Sequence, residues 1–239
     1  MSTVAIMQPT YLPWIGYFAL MDRVDCFIYL DSVQFERRGW QQRNRIKTAR
    51  GEVWLTVPVA KKGMRDQKIA EVDILYGPEF PRRHIDILTA SYRKAAFFDA
   101  HAPVLYDILR SGHQKLADLT IAICEWLANA FGITSRRIRS GSLENAGTKA
   151  DLLVHLCRQI GATHYISPIG SHAYLAGSDA FAKAAIELSY HGYEHPVYPQ
   201  LHGPFVQFMA VIDLLFNVGP KSLEVIRSGQ RAILAPSQL

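Results

Sequence analysis

Residues 7–18 read MQPTYLPWIGYF and follow directly on the apolar run Thr3-Val-Ala-Ile6. Four aromatics, two prolines and one glycine fill these twelve residues, whereas an ordinary strand-to-helix turn needs only a cap and a glycine. Beyond it, Ile15 to Val24 carries a helical pattern, and Cys26-Phe-Ile-Tyr-Leu30 is a second apolar run ending at Asp31. Strand, helix and strand in so short a span predict a β-α-β unit. In open α/β sheets ligands sit beyond the C-terminal strand edge, and the loop leaving the first strand is a natural seat for them. Prolines stiffen this loop, Gly16 permits close approach, and Tyr11, Trp14 and Tyr17 offer flat faces with polar tips. Gln8 and Asp31 stand at the two strand ends. A ligand site is one reading of the turn; an aromatic plug that packs the sheet edge is the other.

Working outward, Trp54 to Val59 and Ile69 to Leu75 alternate enough to predict two strands, with the Lys61-Lys-Gly63 loop between them as a hairpin or flap. Pro81 to Ala95, Val104 to Leu109 and Lys115 to Phe131 have helical spacing, the last stopping at Gly132. A basic, strand-like ITSRRIRSGSL precedes a helix from Lys149, capped by Thr148 and ended by Gly161. A strand over His164 to Ser167, a helix over Asp179 to Ala185, a strand over Ile186 to Tyr190 and a helix over Phe205 to Asn217 complete the pattern. The chain of 239 residues therefore reads as a single α/β domain, with a mostly parallel, Rossmann-like sheet and a helical insertion at about 80–132.

No apolar run is long enough for a membrane span and no basic leader precedes the first strand, so a cytoplasmic protein is expected. Cys26, Cys124 and Cys157 are widely spaced within apolar patterns, which suits reduced core residues. Between Glu36 and Lys68 ten Lys/Arg face three acids, a local +7 in a chain of net +5, so the remainder sums to −2. That concentration suits a small phosphorylated or nucleotide-linked substrate; a solvated basic loop is the alternative. Nucleic acid, with Trp40 and Trp54 as stacking platforms, fits the segment, while the acidic remainder argues against a wide footprint.

Arg38, Arg43 and Asn44 mix fixed charge with amide donors and read as a phosphate clamp or a surface turn. Asp31 reads as a ligand or proton-transfer carboxylate, or as a helix cap. Asp213 and Asn217 are four apart in an apolar helix pattern and could face one ligand, the alternative for Asp213 being a buried hydrogen bond. His191 and His195 are also four apart, but Gly192 and Pro196 break any helix between them, so no metal site is expected; His195 and His172 are candidate general bases. P-loop, G-x-G-x-x-G and G-x-S-x-G motifs are absent, and no cofactor is indicated.

QPTYLPWIGYF, then DCFIYLDSVQFERRGWQQRNRIKT, GEVWLTVPV, SYRKAAFF, THYISPIGSHAYL and EHPVYPQ, followed by FVQFMAVIDLLFNVG, together resemble the WbqC-like protein family over nearly the whole chain. Gln8, Trp14, Gly16, Tyr17, Asp31, Arg43, Asn44, Ser167, Tyr174, Asp213 and Asn217 match its pattern. Met7 stands where a histidine often precedes the Gln-Pro pair, and Pro168 stands where a glycine often follows the serine. The resemblance implies a bacterial enzyme of surface polysaccharide (O-antigen type) biosynthesis, transferring an acyl or aminoacyl group to a nucleotide-linked sugar. A non-catalytic nucleotide-sugar-binding or scaffolding protein is the second possibility. A fold-level analogy links the first turn to the H-x-G-H region of nucleotidylyltransferase-like folds, with Trp14 and Tyr17 in the histidine places. In this picture Gln8, Tyr11, Trp14, Tyr17 and Asp31 hold nucleoside or sugar, Arg38, Arg43 and Asn44 hold phosphates, Ser167, Tyr174 and Asn217 add contacts, and Asp213 with His195 moves protons.

Overall fold

In the computed structural model, which describes residues 2–60, 66–175 and 177–239, Thr3–Met7 forms strand β1 and Cys26–Tyr29 forms β2, with helix α1 (Ile15–Asp22) between them. Successive residues of these strands alternate between two apolar cores, as a pleated period of two requires. Ala5, Phe27 and Tyr29 enter one core; Val4, Ile6, Cys26 and Ile28 enter the other. Both faces of the sheet are thus covered, which suits parallel strands.

The central sheet adds β5 (Arg136–Arg139), β6 (His164–Pro168), β7 (Glu187–Tyr193) and β8 (Gln230–Leu234) in the order β5-β2-β1-β6-β7-β8. Every neighbour is parallel except β7 with β8. Numbered as the chain lays them down, the six run 3-2-1-4-5-6, so the direction of growth reverses between β1 and β6, where open α/β sheets form a crevice. The first core is packed by α1, α2 (Arg82–Tyr92), α3 (Phe98–Arg110), α4 (Leu116–Phe131), α8 (Ile212–Val218) and α9 (Ser222–Ser228). The second is packed by α5 (Lys149–Gln159) with the short α6 (His172–Leu175) and α7 (Ala180–Lys183). All three cysteines are buried and unbridged. Among the described residues no helix is long and apolar enough to cross a membrane.

Several expectations are corrected. Arg43–Thr48, where no strand was expected, is strand β3; it pairs antiparallel with β4 (Gly51–Thr56) in a separate two-stranded ribbon. Residues 69–75 form a short 3-10 turn and isolated bridges instead of a strand. Their amides are shared among different partners: Ile69 donates to the Val33 carbonyl, Ala70 to Asp31, Ile74 to Gln114. The Lys61-Lys-Gly63 loop lies outside the described residues. The helix expected from Phe205 begins only at Ile212, because Ala210 N–H bonds to the Arg45 carbonyl and Val211 N–H to that of Pro13. The Thr148 side chain makes no cap bond. The helix expected over 179–185 shrinks to α7, while α3 starts before Val104 and accommodates Pro103. Helices α6 and α9 and strand β8 have no counterpart in the sequence reading.

Candidate functional site

The turn after β1 is a junction of three chain segments. Leu12 adopts φ +48°, a left-handed conformation that costs energy in a branched residue. Its carbonyl is held by Asn44 Nδ2 at 2.6 Å, and Asn44 Oδ1 in turn accepts the Arg45 N–H at 2.7 Å. Tyr11 N–H donates to the Trp40 carbonyl, while Pro13 and Arg45 carbonyls receive the amides of Val211 and Ala210. Gln8 Oε1 accepts from Gln41 Nε2 at 2.7 Å. Tyr11 is fully buried and shares a 2.8 Å hydrogen bond with His84 Nδ1. A Cβ on Gly16 would fall inside the Trp14 indole, so the glycine is what lets that ring lie over the start of α1.

A pocket of about 400 Å³ opens beyond the end of β1. Met7, Thr10 and Pro13 belong to its strand-end side, and Trp14, Tyr17, Trp40 and Phe208 supply aromatic wall. Asn44 and Arg45 come from β3. The Asn44 amide is spent on backbone, and Arg45, the cation among the described lining residues, also pairs with Glu52 at 2.6 Å. Rings with one fixed charge suit an amphipathic planar or sugar-like ligand.

His195 stands against two of these walls, its ring 6.2 Å from that of Trp14 and 5.2 Å from that of Phe208. Its Nδ1 lies 2.9 Å from the Pro196 carbonyl, which can only accept, so Nδ1 carries the proton and Nε2 the lone pair. Nε2 is buried without a partner, and burial lowers the ring's pKa. Burial therefore favours the neutral imidazole, with its lone pair at Nε2. Tyr198 stacks on its other side, centroids 6.2 Å apart.

The Tyr198 hydroxyl, which accepts from Gln200 Nε2, also faces Asp213. Asp213 is fully buried in the first turn of α8. The Tyr92 hydroxyl, the Gln200 amide and the charge of Lys47 face its carboxyl as well, yet neither oxygen has a hydrogen bond of ordinary geometry, and burial raises its pKa. Lys47 is itself buried and donates to the carbonyls of Gly203 and Pro204. Tyr198 thus joins the candidate base to the candidate acid.

The remaining expected residues are dispersed. Asp31 has both oxygens engaged, by Arg139 Nε at 2.7 Å, Ser140 Oγ at 3.0 Å and Gly141 N–H at 2.9 Å, which ties the ends of β2 and β5 together. It caps no helix. Asn217 Nδ2 donates to the Asp213 carbonyl at 2.7 Å, so its amide is spent inside α8 and is not offered beside the carboxyl. Ser167 is buried, bonded to Ser171 and the Tyr165 hydroxyl. Tyr174 is half exposed on α6, and His172 meets Tyr190 edge-on. Arg38 is exposed and outside the pocket; Arg43 lies 4.4 Å over the Trp54 ring. Sequence reasoning missed Arg45 and Phe208. Recognising β3 as a strand would have placed Arg45 on the same face as Arg43, whereas Phe208, at φ +60°, follows no periodic signal. Among the described residues no three His, Cys, Asp or Glu side chains are placed to hold a metal ion.

Comparison with known proteins gives the following. The model of the WbqC-like protein family matches residues 8–225. The uncharacterized protein Rv1507c of Mycobacterium tuberculosis is 37% identical over 229 residues, 95% of this chain and 98% of that protein. No solved structure matches the chain.

Proposed function

The chain belongs to the WbqC-like protein family, and from that premise we propose a cytoplasmic enzyme of bacterial surface polysaccharide biosynthesis that transfers an acyl or aminoacyl group to a nucleotide-linked sugar. The observation that carries this reading is the aromatic pocket at the end of β1, with Arg45 in its wall and His195 against two of its rings. The strand order 3-2-1-4-5-6 supports a Rossmann-like sheet, and the pocket lies beyond the end of its first strand, the strand edge where such sheets take ligands, on the side of α1 and the ribbon.

In this reading the sugar lies among Trp14, Tyr17 and Phe208. His195 Nε2 takes the proton from an acceptor hydroxyl or amine as it attacks the carbonyl of an activated acyl donor. The bond from that carbonyl to the donor's leaving group then breaks, and the imidazolium returns its proton to the leaving group. Tyr198, whose ring stacks on His195 and whose hydroxyl faces Asp213, positions the base. Asp31 keeps the strand ends in register. The polysaccharide assignment draws on the family's gene context. The described pocket wall offers the hydroxyls of Thr10 and Tyr17 but no serine or cysteine, which favours direct transfer to a bound acceptor; a non-catalytic nucleotide-sugar binder fits the same wall.

A thermal-shift screen of nucleotide sugars with acyl thioesters, followed by product analysis, tests the reading. His195→Gln is expected to keep the ligand-induced shift and lower turnover by about 10²-fold or more. Undiminished turnover in that variant removes His195 as base, and binding without turnover in the wild type selects the binder.

A further inference from the structure

The outward face of the β3–β4 ribbon, with Trp40 beside it, carries charge and rings that lie outside both cores. Trp40 and Trp54 are 51% and 44% exposed, with ring centroids 5.4 Å apart. Large aromatic surface left in water beside a pocket calls for an occupant. Arg45 pairs directly across the ribbon with Trp54, and Arg43 sits two residues along on the same face. The guanidinium carbons of Arg43 and Arg45 lie 4.4 and 5.7 Å from the Trp54 ring. Glu52 neutralises Arg45. Arg43 makes no ion pair among the described residues, and the Nε of both arginines is buried without an acceptor. A carboxylate-free guanidinium beside exposed indoles combines the two elements that recognise a flat ring joined to phosphate.

Resting on the proposed function, we propose that this ribbon face seats the nucleoside diphosphate end of the substrate: the base stacks on Trp40 and Trp54, and Arg43 and Arg45 take the two phosphates. Arginines at alternate positions of a strand are spaced about 7 Å apart at the backbone, close enough for their heads to meet adjacent phosphates. Trp40 also lines the pocket beyond β1, so a sugar attached to the outer phosphate passes over this indole into the hollow. The ligand is a free nucleotide derivative and not a polymer, because the basic segment is surrounded by a chain whose remainder is net acidic.

Titration calorimetry and tryptophan quenching with UDP, GDP, ADP and dTDP, each beside its nucleoside, test the assignment. At least one diphosphate is expected to bind tenfold or more tightly than its nucleoside. Arg43→Gln should erase most of that difference. Trp54→Leu should weaken both ligands, and Trp40→Leu serves the same purpose if Trp54→Leu fails to fold by circular dichroism. No diphosphate binding, or binding indifferent to these changes, overturns the proposal. So does tighter binding of an oligouridylate whose affinity falls steeply with salt. A diphosphate held here with no sugar acylated would remove the transferase and leave this site; acylation of a sugar lacking a nucleotide, with no diphosphate bound, would do the reverse.

Discussion

Burial shifts the pKa values of His195 and Asp213 in opposite directions but to the same end, favouring the neutral form of each. The folded Asp213 carboxyl holds its proton to a pH above the ordinary 3.8, so the native chain binds more protons than the unfolded one in the window above that value. Stability from this group is present below that window and lost as pH rises through it. Asp213→Asn should therefore flatten the decline, measured as urea midpoints between pH 4 and 7. His84 and His191 act in the other direction. Burial pushes each from 6.5 to about 4, so protons favour the unfolded chain in between. Stability present above pH 6.5 is lost as pH falls toward 4, on the order of 3 kcal/mol for each histidine. Replacing His84 by Gln should remove its share of that acid loss. The unpartnered Nε2 of His195 could not be read from sequence, since the Pro196 carbonyl that fixes its tautomer is placed by the chain's path and not by residue type.

At the scale of elements, the first turn is stabilised from outside itself. Asn44→Ala would leave the Leu12 carbonyl buried without its donor, at a cost of about 1–3 kcal/mol, and a thermal melt should show the loss. Gly16→Ala would drive the Trp14 indole from its place on α1; we expect destabilisation of about 1–3 kcal/mol and a changed tryptophan emission as the pocket wall shifts. The β1-α1-β2 unit was legible because apolar runs, a helical period and the aromatic turn agree on one structure. Strand β3 was hidden, since RNRIKT has only one apolar residue and its pairing with GEVWLT appears only in the ribbon. The irregular path of 205–211 was hidden for a related reason: the amides of Ala210 and Val211 answer carbonyls 165 and 198 residues earlier.

For the whole molecule, the sheet order puts the earliest strand at the centre and the latest at an edge. The three cysteines lie within the packing of both cores, and burial pushes Cys157 up to about 12. A thiol reagent at neutral pH should modify none of them at an appreciable rate in the native protein and all three once denaturant is added. Alternating strands and helices foretold the layered α/β architecture, but not which strands would be neighbours, because order in a sheet is settled by long-range packing. The Pro13 carbonyl meets its partner, the amide of Val211, only when about nine-tenths of the 239-residue chain has been made. During translation the pocket must then be among the last features to close, and a ribosome stalled before residue 205 would display an unsealed aromatic edge for chaperones to hold.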